Sequence, residues 1–394
     1  YIYGPTAFTG SVDNISVKEL PGNHAVQATA ASRPLYGIVP RGGRRNLLLW
    51  SEDFSNAEWL KLNAGTGVAP VVTANAGTAP DGTVTADRIV FNRGAGTTSA
   101  DISRIFQDAP DPASGFATDS VYLRSFDGVS TYSLQLSNGA VSAIITVTGA
   151  WQRFSLTSTT TATNLQIRTQ GDVTQQTADV LVWGAQGEHG STATAYQRVT
   201  TQYDVTEAGV QSLSYLFFNG TNNSMATGTI TPGVDKVQVF TGVRKLADSG
   251  AYQIIVEQGT DVGSGANPGT FVLAPAVGTH EFFSKGTAVV SAVASGYPAP
   301  VTSVVTGLGD ISGDRATIRM NGAQVTQSTG DQGAGNFLAY PLYLGMRQGL
   351  TPPASNSLYF NGQIYSLVVR FGPNLASTNI NATEYWLNEK TGAF

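Results

Sequence analysis

Ser120-Val-Tyr-Leu-Arg124, Thr131-Tyr-Ser-Leu-Gln-Leu136, Ala143-Ile-Ile-Thr-Val147, Gln152-Arg-Phe-Ser-Leu-Thr157 and Asn164-Leu-Gln-Ile-Arg168 follow one another at intervals of roughly ten residues, the spacing of short strands in a sandwich or barrel. Each run alternates apolar and polar residues. Successive strand side chains point to opposite faces, so the alternation sorts each run into a core side and a wet side. Ser, Thr, Gln and Arg fill the wet positions, which suits antiparallel sheets with one solvated face.

The same pattern resumes further along, at Ser212–Phe218, Lys236–Val243, Ala251–Glu257, Thr270–Leu273, Val301–Val305, Arg315–Met320 and Leu342–Gly345. Asn219-Gly220, Asn321-Gly322 and Asn361-Gly362 are hairpin-turn dipeptides. Residues 21–45 lack sustained alternation and read as an extended linker carrying Arg33, Arg41, Arg44 and Arg45. Asn381–Lys390 reads as a short C-terminal helix, with Asn381 or Thr383 as cap and Tyr385, Trp386 and Leu387 available for docking. Phe8–Val17 echoes Phe360–Val369, with apolar residues at matching offsets. Tyr1–Leu20 is therefore expected to be the closing strand of a preceding sandwich, and the chain a piece of a longer polypeptide. The expected organisation is all-β: a closing strand (1–20), a linker (21–45), and two antiparallel sandwiches (46–204 and 205–394), with the helix last.

Composition narrows the function. The 394 residues include no cysteine, which excludes disulfides, zinc–thiolate sites and a cysteine nucleophile. Lys and Arg number 22 against 27 Asp and Glu, a net charge of -5. That leaves no footprint for a polyanion, so nucleic acid is not an expected partner. No apolar run is long enough for a membrane span.

Catalytic motifs are missing from the sequence. His24, His189 and His280 stand alone, and there is no nucleophile elbow, phosphate loop or dinucleotide fingerprint. The carboxylate groupings Glu52/Asp53, Asp108/Asp111 and Asp310/Asp314 are explained by turn and cap chemistry. The chain is expected not to be an enzyme. Sugar binding needs aromatic faces and planar polar groups. Parity places Tyr122 and Arg124, Gln135, and Gln166 and Arg168 on wet sides, so three strands could share one polar groove. The same pattern is what any solvated sheet face shows. Trp59, outside any clear strand, is a further aromatic candidate, Trp151 is ambiguous, and Trp183 is expected in the core.

Asn46–Phe54 with Trp59, Ala79–Ile89, Trp151–Phe154, Val182–Glu188 and Thr194–Tyr196 together resemble a jelly-roll, carbohydrate-binding-module-like domain of bacteriophage and prophage tail or tail-fibre proteins. Gly307–Gly313, Arg319–Gly322, Pro341–Gly345 and Phe360–Gly362 resemble the concanavalin A/laminin G-like sandwich that accompanies it. The resemblance implies a virion tail component, assembled in the host cytoplasm and working on the extracellular particle. Its expected partners are host cell-surface polysaccharide and other tail subunits, in a homo-oligomer such as a trimer. A purely structural tail role and a part in a polysaccharide depolymerase are the alternatives. Such jelly rolls often hold calcium, and the resemblance places Glu52 or Asp53, and Asp179, near that position, with Asp81 and Asp87 as alternatives.

Overall fold

The computed structural model describes residues 23–108, 117–159, 164–170, 175–262, 267–349 and 356–394. The expected closing strand at 1–20 and Asp111 lie outside them. Among the described residues the strands form four sheets, stacked as two sandwiches, and one α-helix, Ser377–Thr391, stands near the C-terminus.

The first sandwich has two five-stranded antiparallel sheets. One runs Leu60–Ala64, Ile102–Asp108, Asn164–Gln170, Tyr132–Ser137, Ser142–Val147 in spatial order; the other runs Val68–Gly77, Ala86–Asn92, Thr177–His189, Ala117–Ser125, Gln152–Ser158. Consecutive strands repeatedly cross between sheets, the jelly-roll pattern. Alternation does the sorting: Ile105, Leu134, Leu136, Leu165 and Ile167 meet Phe91, Val121, Leu123, Val180 and Val182 in one dry core. Burying each such side chain contributes about 1.5–3 kcal/mol.

The second sandwich packs a nine-stranded sheet on a six-stranded one. Its core gathers Phe218, Val237, Val239, Phe271, Leu273, Phe282, Val305, Ile318, Phe337 and Phe360. The large sheet crosses the expected domain limits. Leu35–Pro40, inside the expected linker, pairs antiparallel with Ser212–Asn219 along six residues and touches Asp204–Glu207 on its other side. The linker is therefore partly a strand of the second sandwich. Gly37 makes this fit: a Cβ there would lie 2.4 Å from the Tyr215 ring. Gln197–Thr201, expected in the first sandwich, extends the same sheet through Asp204–Glu207.

The helix begins four residues before Asn381, after Ala376, which supplies no side-chain cap bond. Thr383 instead bonds back to the Asn379 carbonyl. Ile380, Glu384, Leu387, Asn388 and Thr391 are buried, whereas Tyr385 and Trp386 are exposed. Neighbours on a helix point about 100° apart, so three consecutive residues cannot all dock. The helix lies on the outer face of the large sheet, with Ile380 and Leu387 against Phe240 and Val304.

Candidate functional site

The strand Thr177–His189 lies between Ala86–Asn92 and Ala117–Ser125, and its register sets Trp183 opposite Tyr122, which in turn lies opposite Arg153. These three lie on the side of the sheet away from the main core, as do Leu181 and Arg124 in the next row, with Trp183 and Leu181 covered in a small apolar cluster. The result is an aromatic face with guanidiniums between the rings. Trp183 lies 5.4 Å from Tyr122 and 4.6 Å from Tyr196 between ring centroids. Arg153 stands over Tyr122, and Arg124 over Trp151, at 5.4 and 5.7 Å, both cation–π distances. The indole nitrogens are tied down: Trp183 donates to Thr85 Oγ1 and Trp151 to the Thr78 carbonyl.

At one end this face opens into a cavity of about 250 Å³, with Trp183 and Tyr196 as aromatic walls and Glu52, Asp81, Arg198 and Glu207 around them. The Tyr196 hydroxyl donates to Glu52 Oε1 at 3.1 Å and shares a 2.7 Å bond with Ser51 Oγ. Arg198 approaches Glu52 Oε2 at 3.5 Å. Burial raises the Glu52 pKa above the usual carboxylate value, with Arg198 and Tyr196 pulling the other way and Asp81 adding to the rise. The cavity therefore offers flat apolar walls, carboxylate acceptors and a guanidinium donor, the set that a sugar ring engages through its C–H face and hydroxyls.

The opposite sheet carries the other candidates. Arg168 pairs with Gln135 across the strands. Its Nε donates to Gln135 Oε1 at 2.5 Å and its Nη1 to Gln166 Oε1 at 3.3 Å; Gln166 Nε2 donates to Asn164 Oδ1 at 2.8 Å. Arg104, Arg168's partner on the other side, stands over Phe106. Gln135 and Gln166 are buried. This face is a polar network whose members bond one another.

The single groove expected from parity is thus two faces on opposite sides of the sandwich. Tyr122 and Arg124 belong to one; Gln135, Gln166 and Arg168 belong to the other. Alternation tells inside from outside, but not which sheet a strand joins. Trp59 is corrected outright. It is fully buried, 4.6 Å from the Phe54 ring, and donates its indole N–H to the Trp50 carbonyl, so its faces meet core rather than ligand. The expected calcium ligands are dispersed by their own local bonds. Glu52 lines the aromatic cavity. Asp53 accepts from the Ser55 and Asn56 backbones. Asp179 holds Arg88 through two bonds of 2.8 and 2.6 Å. No group of three His, Cys, Asp or Glu placed to hold a metal occurs among the described residues. Trp183 is buried as expected, but in a small apolar cluster with Leu181, Ala79 and Ala86 on the side of its strand away from Val180 and Val182, which take the main core. Tyr196 and Arg198 carried no signal in the sequence; they reach the site only through the fold.

No family model matches the sequence, and no curated protein matches it. Solved structures resemble parts of the chain. One is the CBM40 of the Ruminococcus gnavus IT-sialidase bound to α2,3-sialyllactose, 14% identical over 40% of this chain and 97% of that one, at a TM-score of 0.32. Another is a heptameric SAP-like pentraxin from Limulus polyphemus, 14% identical over 43% and 80%, at 0.35. The receptor-binding domain of botulinum neurotoxin D is 14% identical over 44% and 43%, at 0.34.

Proposed function

We propose that this chain recognises glycans without transforming them, through the aromatic face and cavity of its first sandwich. The observation that carries the reading is the cavity lined by Trp183 and Tyr196, two rings packed 4.6 Å apart, together with Glu52, Asp81 and Arg198. A pyranose needs this combination: stacking surface for its apolar face, and charged planar groups for its hydroxyls. By the sequence resemblance, the setting is a bacteriophage tail, where the ligand would be host surface polysaccharide. Weak single sites gain through repetition in an assembled fibre, so a homo-oligomer belongs to the same proposal.

The test is binding of the full chain to an array of bacterial surface polysaccharides, repeated with Tyr196→Ala and with Arg168→Ala. The expected result is retention of at least one polysaccharide, loss of about tenfold or more in affinity with Tyr196→Ala, the size of a lost stacking and hydrogen-bond pair, and little change with Arg168→Ala. An array with no retained glycan, or equal binding by Tyr196→Ala, rejects the reading. One observation supports a hydrolytic alternative: Glu52, raised by burial beside a second carboxylate, has the form of a general acid. Shortening of a bound polysaccharide by the full chain, abolished by Glu52→Gln, is its signature.

A further inference from the structure

The outer face of the nine-stranded sheet holds a second cavity, of about 270 Å³. Tyr215, Tyr365, Gln363 and Arg244 form its floor, projecting from three adjacent strands. Arg244 lies opposite Gln363 on one side and Thr302 on the other. Tyr365 sits in the register shift between Gly242 and Val243, and such a bulge re-aims a side chain. The rings of Tyr215 and Tyr365 lie 5.6 Å apart.

The roof comes from the connector. Gly42 and Gly43 take positive φ of 107° and 90°, which turns the chain so that Arg44 lines the cavity. Arg44 is fixed from behind, its Nε donating to the Asn46 carbonyl at 2.6 Å and Nη2 to the Leu47 carbonyl at 2.7 Å. Its Nη1 is the nitrogen those two bonds leave over. The helix end, Thr391 and Gly392, closes the side.

The charge inside this cavity is one-sided. Among the described residues two guanidiniums line it and no Asp or Glu does, in a chain with more acids than bases. Among the described residues the Arg244 side chain makes no hydrogen bond or ion pair. Burial lowers the Arg44 pKa, which marks a cation stripped of water without a counterion. Burial pushes both tyrosines up to about 12, so at neutral pH both keep their phenolic O–H groups; that of Tyr365 donates to Gln363 Oε1 at 2.8 Å, which leaves the Tyr365 oxygen as an acceptor and Gln363 Nε2 as a donor. Guanidiniums match carboxylates in planar geometry. The volume is far more than one water needs and leaves room for a small polar ring.

We propose that this cavity binds a single carboxylate-bearing sugar residue, with the carboxylate between Arg44 and Arg244 and ring hydroxyls on Gln363 and Tyr365. The site is separate from the aromatic cavity of the first sandwich and does not depend on it. The test is calorimetric titration of the full chain with D-glucuronate, D-galacturonate and N-acetylneuraminate, with D-glucose, D-galactose and sodium sulfate as controls. Titrations are repeated on Arg244→Gln and on Tyr365→Phe, which keeps the ring and removes one hydroxyl. The expected result is binding of at least one acidic sugar, weaker by about tenfold or more in Arg244→Gln, reduced in Tyr365→Phe, and unaltered in Tyr196→Ala of the other site. Neutral hexose binding as tightly would overturn the carboxylate role, and sulfate binding as tightly would overturn the sugar. No acid-sugar binding by the wild-type chain would overturn the proposal, and a lowered melting temperature in Arg244→Gln with acid-sugar binding intact would leave Arg244 a structural role beside the helix end instead.

Discussion

His280 shows what a lone histidine does in this fold. Its ring is fully buried, and neither ring nitrogen has a hydrogen-bond partner. It packs edge-on to Tyr297, 6.0 Å away. Burial, then the charge of Lys245, lowers its pKa to about 3, with Asp248 opposing. Unfolding returns the imidazole to water, where it takes up a proton near its ordinary pKa. Between about pH 6.5 and pH 3 the unfolded chain therefore binds more protons here, so stability falls as pH falls through that window. Above it protonation makes no contribution, because the ring is neutral in both states. The accumulated loss by pH 3 is on the order of 4 kcal/mol. His280→Leu should flatten the pH dependence of urea-unfolding free energy between pH 4 and 6.5 relative to wild type. Parallel curves for the two proteins would show that the ring is not held neutral. The sequence allowed only that this histidine was structural or solvated; its burial comes from the pairing of Thr279–Lys285 with strands on both sides.

At the scale of elements, the helix is held to the large sheet by apolar contacts and one buried ion pair. Arg319 meets Glu384 with two bonds, of 2.8 and 2.9 Å, and also reaches Asn381 Oδ1 and the Gly322 carbonyl. Glu384 is almost wholly buried. Removing one partner strands a charge without water, which costs about 3–5 kcal/mol, whereas replacing both with apolar groups costs far less. Arg319→Met should thus destabilise the second sandwich strongly, and Arg319→Met with Glu384→Leu should recover most of the loss. A double-mutant cycle by chemical denaturation checks this, and additive effects would mean the pair is not coupled. The helix itself was legible from Asn381–Lys390, but its first turn was not. Ser377-Thr-Asn-Ile380 contains weak helix formers, and Ile380 stays helical because it is buried against the sheet. Strand existence was legible by the same logic of alternation. Partner choice was not, since Tyr122 and Gln135 have identical local patterns and reach opposite faces only through cross-strand pairing.

For the whole molecule, the two cavities depend on connections that cross between sandwiches. Leu35–Pro40 separates Asp204–Glu207 from Ser212–Asn219 in the large sheet. Upstream of it, Val26 pairs with Ala226, and Gln27 bonds Ser224. Downstream, Arg45 pairs with Glu207 at 2.9 Å, Gln197 receives the Arg45 and Asn46 amides, and Ser51 exchanges backbone bonds with Val199 and Ala185. The segment that read as a solvated linker is thus the seam of the molecule. Its low alternation is explained by Gly37, whose missing side chain admits Tyr215 where a strand would normally show a polar or apolar residue. A fragment starting at residue 46 would lose the ladder along Ser212–Asn219 and expose that edge with Leu213 and Tyr215. Open edges pair with other chains, and each lost ladder bond costs about 0.5–1.5 kcal/mol. Such a fragment should melt well below the full chain and elute as larger species. Equal melting of the 46–394 fragment would mean that the strand merely rests on the sheet. The same fragment also lacks Arg44, so it should lose acidic-sugar binding in the second sandwich even where its aromatic cavity still retains a polysaccharide.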